Sequence, residues 1–171
     1  MDIGNQYSYI LIAAGVILGA ALLLRLLRVR WVGVGSAALL FVVLFTVGWL
    51  LLRPGESDVE SLDAADTLLS NGNPTFVEFF SNYCAGCISV RPVVDNLVAD
   101  LQERYGDQYN VLRVDIHTTF GRALRERYGF SYTPEFVLFD GSGTEIWRNH
   151  VPPSDNEIEL ALPFESSNTS P

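Results

Sequence analysis

The hydrophobic pattern changes character near residue 53. From Tyr7 to Leu24, and again from Trp31 to Leu52, the chain carries no charged side chain. Each run is long enough to cross a hydrocarbon core of about 30 Å as a helix. A hairpin of two spans, about 7–24 and 31–52, is therefore expected over residues 1–53. Tyr7, Tyr9, Trp31 and Trp49 fall near the span ends, where interfacial aromatics collect. A signal peptide followed by a buried helix is the competing reading, but Met1-Asp2 offers no basic start and no clear cleavage site follows. Beyond Arg53 the runs shorten. Residues 54–60 read as a polar linker punctuated by Pro54 and Gly55. Ser61 is placed to cap a short helix through Ser70, and Thr75–Phe80 (TFVEFF) reads as a strand. Apolar residues at helical spacing (Ile88, Val90, Val93, Val94, Leu97, Val98, Leu101) predict a long helix from about Ala85 to Arg104. A strand over 111–115, a helix over about 119–128 closed by Gly129, a strand within 131–139, a turn at 140–143 and a helix over 154–162 complete the series. Residues 163–171 are polar and expected to be disordered. The result is an α/β domain over 61–162 with one core.

Charge adds orientation. Between the apolar runs stand Arg25, Arg28 and Arg30. Short positive loops stay in the cytoplasm, which predicts both termini and the 61–162 domain on the extracytoplasmic or lumenal side; Arg53 pulls weakly the other way. Past Arg53 the chain holds 19 acidic residues against seven arginines, and it has no lysine anywhere. That balance excludes a nucleic-acid partner, which needs a basic patch, and suits a domain held near an anionic bilayer without lying on it. Membrane lipid is then a partner of the hairpin. Gly15 and Gly19 form a GxxxG spacing that would let two copies of the first span pack as a homodimer.

The candidate chemistry sits in one place. Cys84-Ala85-Gly86-Cys87 holds the chain's two cysteines. A disulfide across so small a loop constrains almost nothing in the unfolded chain, so the pair is chemistry rather than scaffolding. It could be a dithiol/disulfide redox centre, half a zinc site, or two small buried core residues. A zinc site would need ligands from His117 and His150, which lie far apart and share no ligand spacing; neither metal nor cofactor is expected. Cys84 stands where a strand hands over to a helix, and the helix N-terminus favours a thiolate. Alternation in TFVEFF puts Phe76, Glu78 and Phe80 on one face. Glu78 is then either a solvated carboxylate or a buried one with a raised pKa that could accept a proton from Cys87.

The stretch PTFVEFFSNYCAGCISVRP resembles the strand, active-site loop and helix of the thioredoxin family, with Pro92 where that helix commonly carries a proline. SYTPEFVLF is similar to the family's segment with a cis-proline facing the active site, which would be Pro134, preceded by Thr133. The resemblance covers about residues 60–162. It implies a thioredoxin-like fold, a central mixed sheet flanked by helices, and thiol–disulfide exchange: Cys84 as nucleophile, Cys87 as resolving thiol, Glu78 as the buried acid, and Thr133, Pro134 and Tyr83 facing the substrate. The chain looks most like membrane-anchored, outward-facing oxidoreductases, including thioredoxin-like proteins of the thylakoid lumen and thiol reductases of cytochrome c maturation. The implied activity is a reductase of disulfides in exported proteins, apocytochrome c among them, fed by a transmembrane electron donor because the spans contain no cysteine. An oxidase or isomerase of the same fold, or a non-catalytic assembly factor, is the alternative. Departures are Ala85-Gly86 between the cysteines instead of Gly-Pro, Tyr83 instead of Trp, Glu78 instead of Asp, and no evident basic neighbour for that acid.

Overall fold

Alternation along the strands decides which helices cover which side of the sheet. The computed structural model describes residues 3–162. Among them are α1 (Ile3–Gln6), α2 (Ser8–Leu26), α3 (Trp31–Leu52), α4 (Leu62–Leu69), β1 (Thr75–Phe80), α5 (Ala85–Tyr105), β2 (Asn110–Asp115), α6 (Thr119–Tyr128), β3 (Glu135–Phe139), β4 (Glu145–Asn149) and α7 (Asp155–Glu159). The strands form one mixed sheet in the order β2-β1-β3-β4. β1 runs parallel to β2 and antiparallel to β3, and β3 pairs antiparallel with β4. Val77 and Phe79 join Leu112, Val114, Val137 and Phe139 beneath α4 and α6. Phe76 and its neighbours Phe136 and Leu138 pack on Val94 and Leu101 of α5 and Ile158 of α7. β1 is therefore buried along its whole length. That is the burial expected of a central strand covered on both faces.

Local signals set most boundaries. Ser61 accepts from the N–H of Ala64 and caps α4; Thr118 does the same for α6 through Gly121. Gly129 takes the left-handed conformation (φ 67°) that ends α6. α7 is shorter than the periodicity predicts: it starts with a Ser154/Glu157 capping box and holds only five residues. The polar tail expected over 163–171 lies outside the described residues.

The two apolar helices pass the length and composition test for crossing a membrane, and neither is buried inside the protein. They pack as an antiparallel pair: the Tyr9 hydroxyl donates to the Phe45 carbonyl at 2.6 Å, and their rings meet edge to face. A Cβ built on Gly15 or Gly19 would meet nothing, so neither glycine serves this pair. The segment expected to be a linker is docked instead. The Asp58 carboxylate accepts from the Arg113 N–H at 2.7 Å, its N–H donates to the Arg113 carbonyl, and Ser57 Oγ accepts from the Asp115 N–H. These bonds cover the free edge of β2, an unpaired edge that proteins rarely leave open. Arg91 of α5 donates to the Leu51 and Arg53 carbonyls, supplying partners for the orphan carbonyls at the end of α3.

α6 approaches the end of β2 so closely that a Cβ on Gly121 would lie 2.2 Å from the Asp115 carbonyl oxygen. Backbone cannot yield as a flexible side chain can, and overpacking typically costs ~1–3 kcal/mol. Gly121→Ala is expected to lower the thermal midpoint of the detergent-solubilised protein by several degrees, whereas Ala123→Gly, in the same helix, is expected to cost less than Gly121→Ala.

Candidate active site

The turn after β1 ends in a cap made of sulfur. Cys84 has extended backbone and precedes the first residue of α5, and its Sγ accepts the Cys87 N–H at 3.3 Å. A cap acceptor in this position satisfies one of the orphan donors at a helix start. Negative charge on the sulfur is favoured by the same groups and by the helix dipole. The Cys84 thiol is accordingly held down to about 6, chiefly by hydrogen bonding from the Cys87 thiol, with the Thr133 side chain and the N–H groups of Cys87 and Gly86 adding to it against desolvation. Burial pushes the Cys87 thiol the other way, and the Cys84 sulfur beside it adds to the rise. Two thiols three residues apart are thus split into an easily ionised one and a reluctant one. Both are free thiols with no exposed surface, and they pack against Phe80.

Across from the sulfurs lies the start of β3. The Thr133–Pro134 peptide bond is cis, and the Thr133 carbonyl oxygen lies 3.5 Å from Cys84 Sγ. Gly86 allows this approach, since a Cβ there would sit 3.3 Å from Pro134 Cδ and 3.6 Å from Cys84 Sγ. Glu78, fully buried on β1, faces Arg113 in the parallel register of β1 and β2. Arg113 Nε donates to Glu78 Oε2 at 2.7 Å and Nη1 to Asp95 at 3.1 Å. The same guanidinium lies 5.8 Å from the centre of the Phe80 ring, so the ion pair and the sulfurs share one phenyl ring between them. Desolvation raises the Glu78 pKa and outweighs the opposing pull of Arg113. Its Oε1 has no hydrogen-bond partner among the described residues. The basic neighbour that the sequence does not reveal is therefore Arg113.

Tyr83 is an aromatic hub. It stacks on Trp49 (centroids 5.8 Å, planes 7° apart) and on Tyr7, and meets His117 edge-on. Trp49 Nε1 also donates to the Asn82 carbonyl at 2.7 Å. The active-site turn thus rests on the ends of both apolar helices. His117 and His150 are both partly buried. His117 is half-buried against Tyr7 and Tyr83, with its Nε2 2.9 Å from Ser81 Oγ. His150 is held by Ser131, the Pro134 carbonyl and the ring of Tyr132. Tyr132 itself is 45% exposed and lies flat on that imidazole. Periodicity also misses Glu135, which is buried beside Pro134 and paired with Arg148 at 3.0 Å. Its position directly after a Thr-Pro at a strand start is the one local hint.

The thioredoxin family profile matches residues 59–157, more than half of the chain. The chain belongs to the thioredoxin family. Relatives include a thiol:disulfide interchange protein TxlA homolog of Synechocystis, 37% identical over 82 residues that make up 47% of this chain and 42% of that protein. The chloroplastic thioredoxin-like protein HCF164 of Arabidopsis thaliana is 30% identical over 77 residues, 45% of this chain and 28% of the relative. Protein disulfide-isomerase erp38 of Neurospora crassa is 35% identical over 80 residues, covering 47% and 21%. The chain thus spans less than half the length of each. Within the thioredoxin fold, Glu78 on the strand that leads to the cysteines pairs with Arg113 of the neighbouring β2, and Cys84 caps the helix that follows.

Two titrations follow. The thiolate absorbance of the reduced protein is expected to rise with a midpoint near 6; Cys87→Ala, which removes the main donor, should move that midpoint up towards the ordinary 9.0. For Glu78 the sign is opposite to the usual carboxylate. A folded pKa above the unfolded value means the folded state holds more protons, so stability is full at low pH and falls as pH rises through the raised value, above 4.5. Melting curves should show that fall in the wild type and lack it in Glu78→Gln.

Proposed function

We propose that this chain is a membrane-tethered thiol–disulfide oxidoreductase that reduces disulfides in exported proteins. The observation that carries the reading is the split between the two thiols, with Cys84 capping α5 beside the cis Thr133–Pro134 turn. Cys84, as thiolate, attacks one sulfur of a client disulfide; that S–S bond breaks, a mixed disulfide forms, and the client's other sulfur leaves as thiolate. Cys87 then loses its proton and attacks Cys84 Sγ. The mixed disulfide breaks, the client leaves with two reduced sulfurs, and the chain holds a Cys84–Cys87 disulfide. Two electrons have moved from the chain to the client. Glu78 is the proposed acceptor of the Cys87 proton, through its unpartnered Oε1. A dithiol donor must return the electrons, and the absence of cysteine from both apolar helices makes that donor a separate membrane protein.

Membrane placement rests on the hairpin. Tyr9 at the start of α2 and Trp49 near the end of α3 both meet Tyr83, so both outer ends of the hairpin lie on the domain's side. With Arg25, Arg28 and Arg30 in the opposite loop, the positive-inside rule favours an extracytoplasmic or lumenal domain. The thiol:disulfide interchange in the name of the TxlA relative supports the exchange chemistry, and apocytochrome c is the client class proposed. The erp38 relative favours isomerase or oxidase activity as the second reading; equilibration with glutathione separates them, because a strongly oxidising potential is incompatible with a reductase.

In cells, Cys87→Ser is expected to accumulate mixed disulfides that a reducing agent releases, and Cys84→Ser to accumulate none. Mass spectrometry of the trapped species names the clients. Equal trapping by the two variants would overturn the assignment of Cys84 as nucleophile.

A further inference from the structure

The edge of the site that a client needs is already occupied by the chain's own N-terminal segment. An extended peptide that adds to an exposed main-chain edge gives a C=O to one residue's N–H and an N–H to the same residue's C=O. Asn5 supplies both from a single side chain. Its Oδ1 accepts from the Thr133 N–H at 2.9 Å, and its Nδ2 donates to the Thr133 carbonyl at 2.9 Å. A carboxamide carries the same donor and acceptor as a peptide unit, so the match is chemical as well as geometric. The Thr133 hydroxyl donates to the same Oδ1 at 3.0 Å. The Thr133 carbonyl is also the oxygen 3.5 Å from Cys84 Sγ.

The residues that follow close over the loop carrying the sulfurs. Ser81 Oγ donates to the Gln6 carbonyl, the Ala85 N–H donates to Ser8 Oγ, and the Tyr9 N–H donates to the Tyr83 carbonyl. The Tyr7 ring lies between Tyr83 and His117, at 5.7 and 5.2 Å. Cys84, the proposed nucleophile, has no exposed surface. A nucleophile in that state meets no client disulfide until something moves. The segment that can move is short: α1 is a single turn of four residues, and such elements open locally at small cost compared with the sheet.

We propose that residues 5–9 form an autoinhibitory clasp, with the Asn5 carboxamide standing in for one peptide unit of a client at Thr133. This rests on reading the site as one of thiol–disulfide exchange. Clients are extended, disulfide-bearing segments that displace the clasp. The closed population lowers the apparent affinity by the fraction of open molecules, so a segment offering several main-chain bonds is selected over a bare small disulfide.

The test uses the full-length reduced protein in lipid vesicles and a synthetic disulfide-bonded peptide. Asn5→Ala is expected to raise the second-order rate of exchange about tenfold, the factor that one to two net hydrogen bonds carry. Asn5→Asp, which keeps the acceptor for the Thr133 N–H and loses the donor, should raise it less. Hydrogen exchange at the Thr133 amide should quicken in Asn5→Ala while the amides of β1 stay protected, which also shows that the variant is folded. A rate that is unchanged or slower, or an unchanged Thr133 amide, overturns the clasp. Exchange that proceeds but ignores Asn5 overturns the clasp alone; no exchange in any of the three proteins overturns the functional reading and the clasp with it.

Discussion

A helix start is usually capped by an oxygen, and here the acceptor is the sulfur that carries the chemistry. The Cys87 N–H donated to Cys84 Sγ does three things at once. It ends β1's turn at a defined residue, it fixes the sulfur beside the Thr133 carbonyl, and it favours the thiolate. The spacing of two residues between the cysteines follows from this geometry, since the N–H that a cap accepts lies two or three positions into the helix. Burial of Cys87 on the first turn against Phe80 raises the pKa of its thiol, so the two sulfurs differ in how readily they ionise.

The strand that delivers Cys84 carries a cost in its middle. Glu78 is fully buried in a strand otherwise made of Thr, Val and Phe. Removing a carboxylate from water is repaid only by good partners, and one of its two oxygens has none. Arg113 meets the other with Nε and spends Nη1 on Asp95, which ties the sheet to α5. Arginine suits this role because its planar fork can serve two carboxylates at once. In a chain without lysine, every such pair has to be built on arginine. Desolvation makes this carboxyl costly to ionise, and stability alone explains it poorly.

What was legible in the sequence was whatever depends on near neighbours. Period-two and helical spacing predicted β1, α5, β2 and α6 within a residue or two, and Ser61 marked a helix start through its own side chain. The cysteine pair, Thr133 and Pro134 stood out because they are local motifs. The rest depends on contacts between distant positions. Arg113 looks like an ordinary exposed strand residue until parallel register sets it opposite Glu78. Ser57 and Asp58 look like linker until β2 proves to be an edge strand. Asn5 and Thr133 are separated by 128 positions, and nothing in the composition of either segment marks it for the other. Tyr132 is a related case: its aromatic ring is covered by one imidazole and stays exposed on its other face.

The placement of the domain on the hairpin binds these features into one arrangement. Thioredoxin-type sites present a turn and a cis-proline edge, and in this chain the turn itself is the docking surface: Tyr83 stacks on Trp49, Asn82 bonds Gly55, and Arg91 caps α3. An aromatic stack contributes about 0.5–1.5 kcal/mol beyond the area it buries, and together with the linker's bonds to β2 it holds the sulfur end of the domain against the ends of the apolar helices. A tether that only concentrated the domain at a membrane would leave the active-site face pointing anywhere. Here the contacts set the active-site turn beside the ends of both apolar helices and lay residues 5–9 across it. Cys84 is therefore covered by some of the same contacts that orient the domain on the two helices.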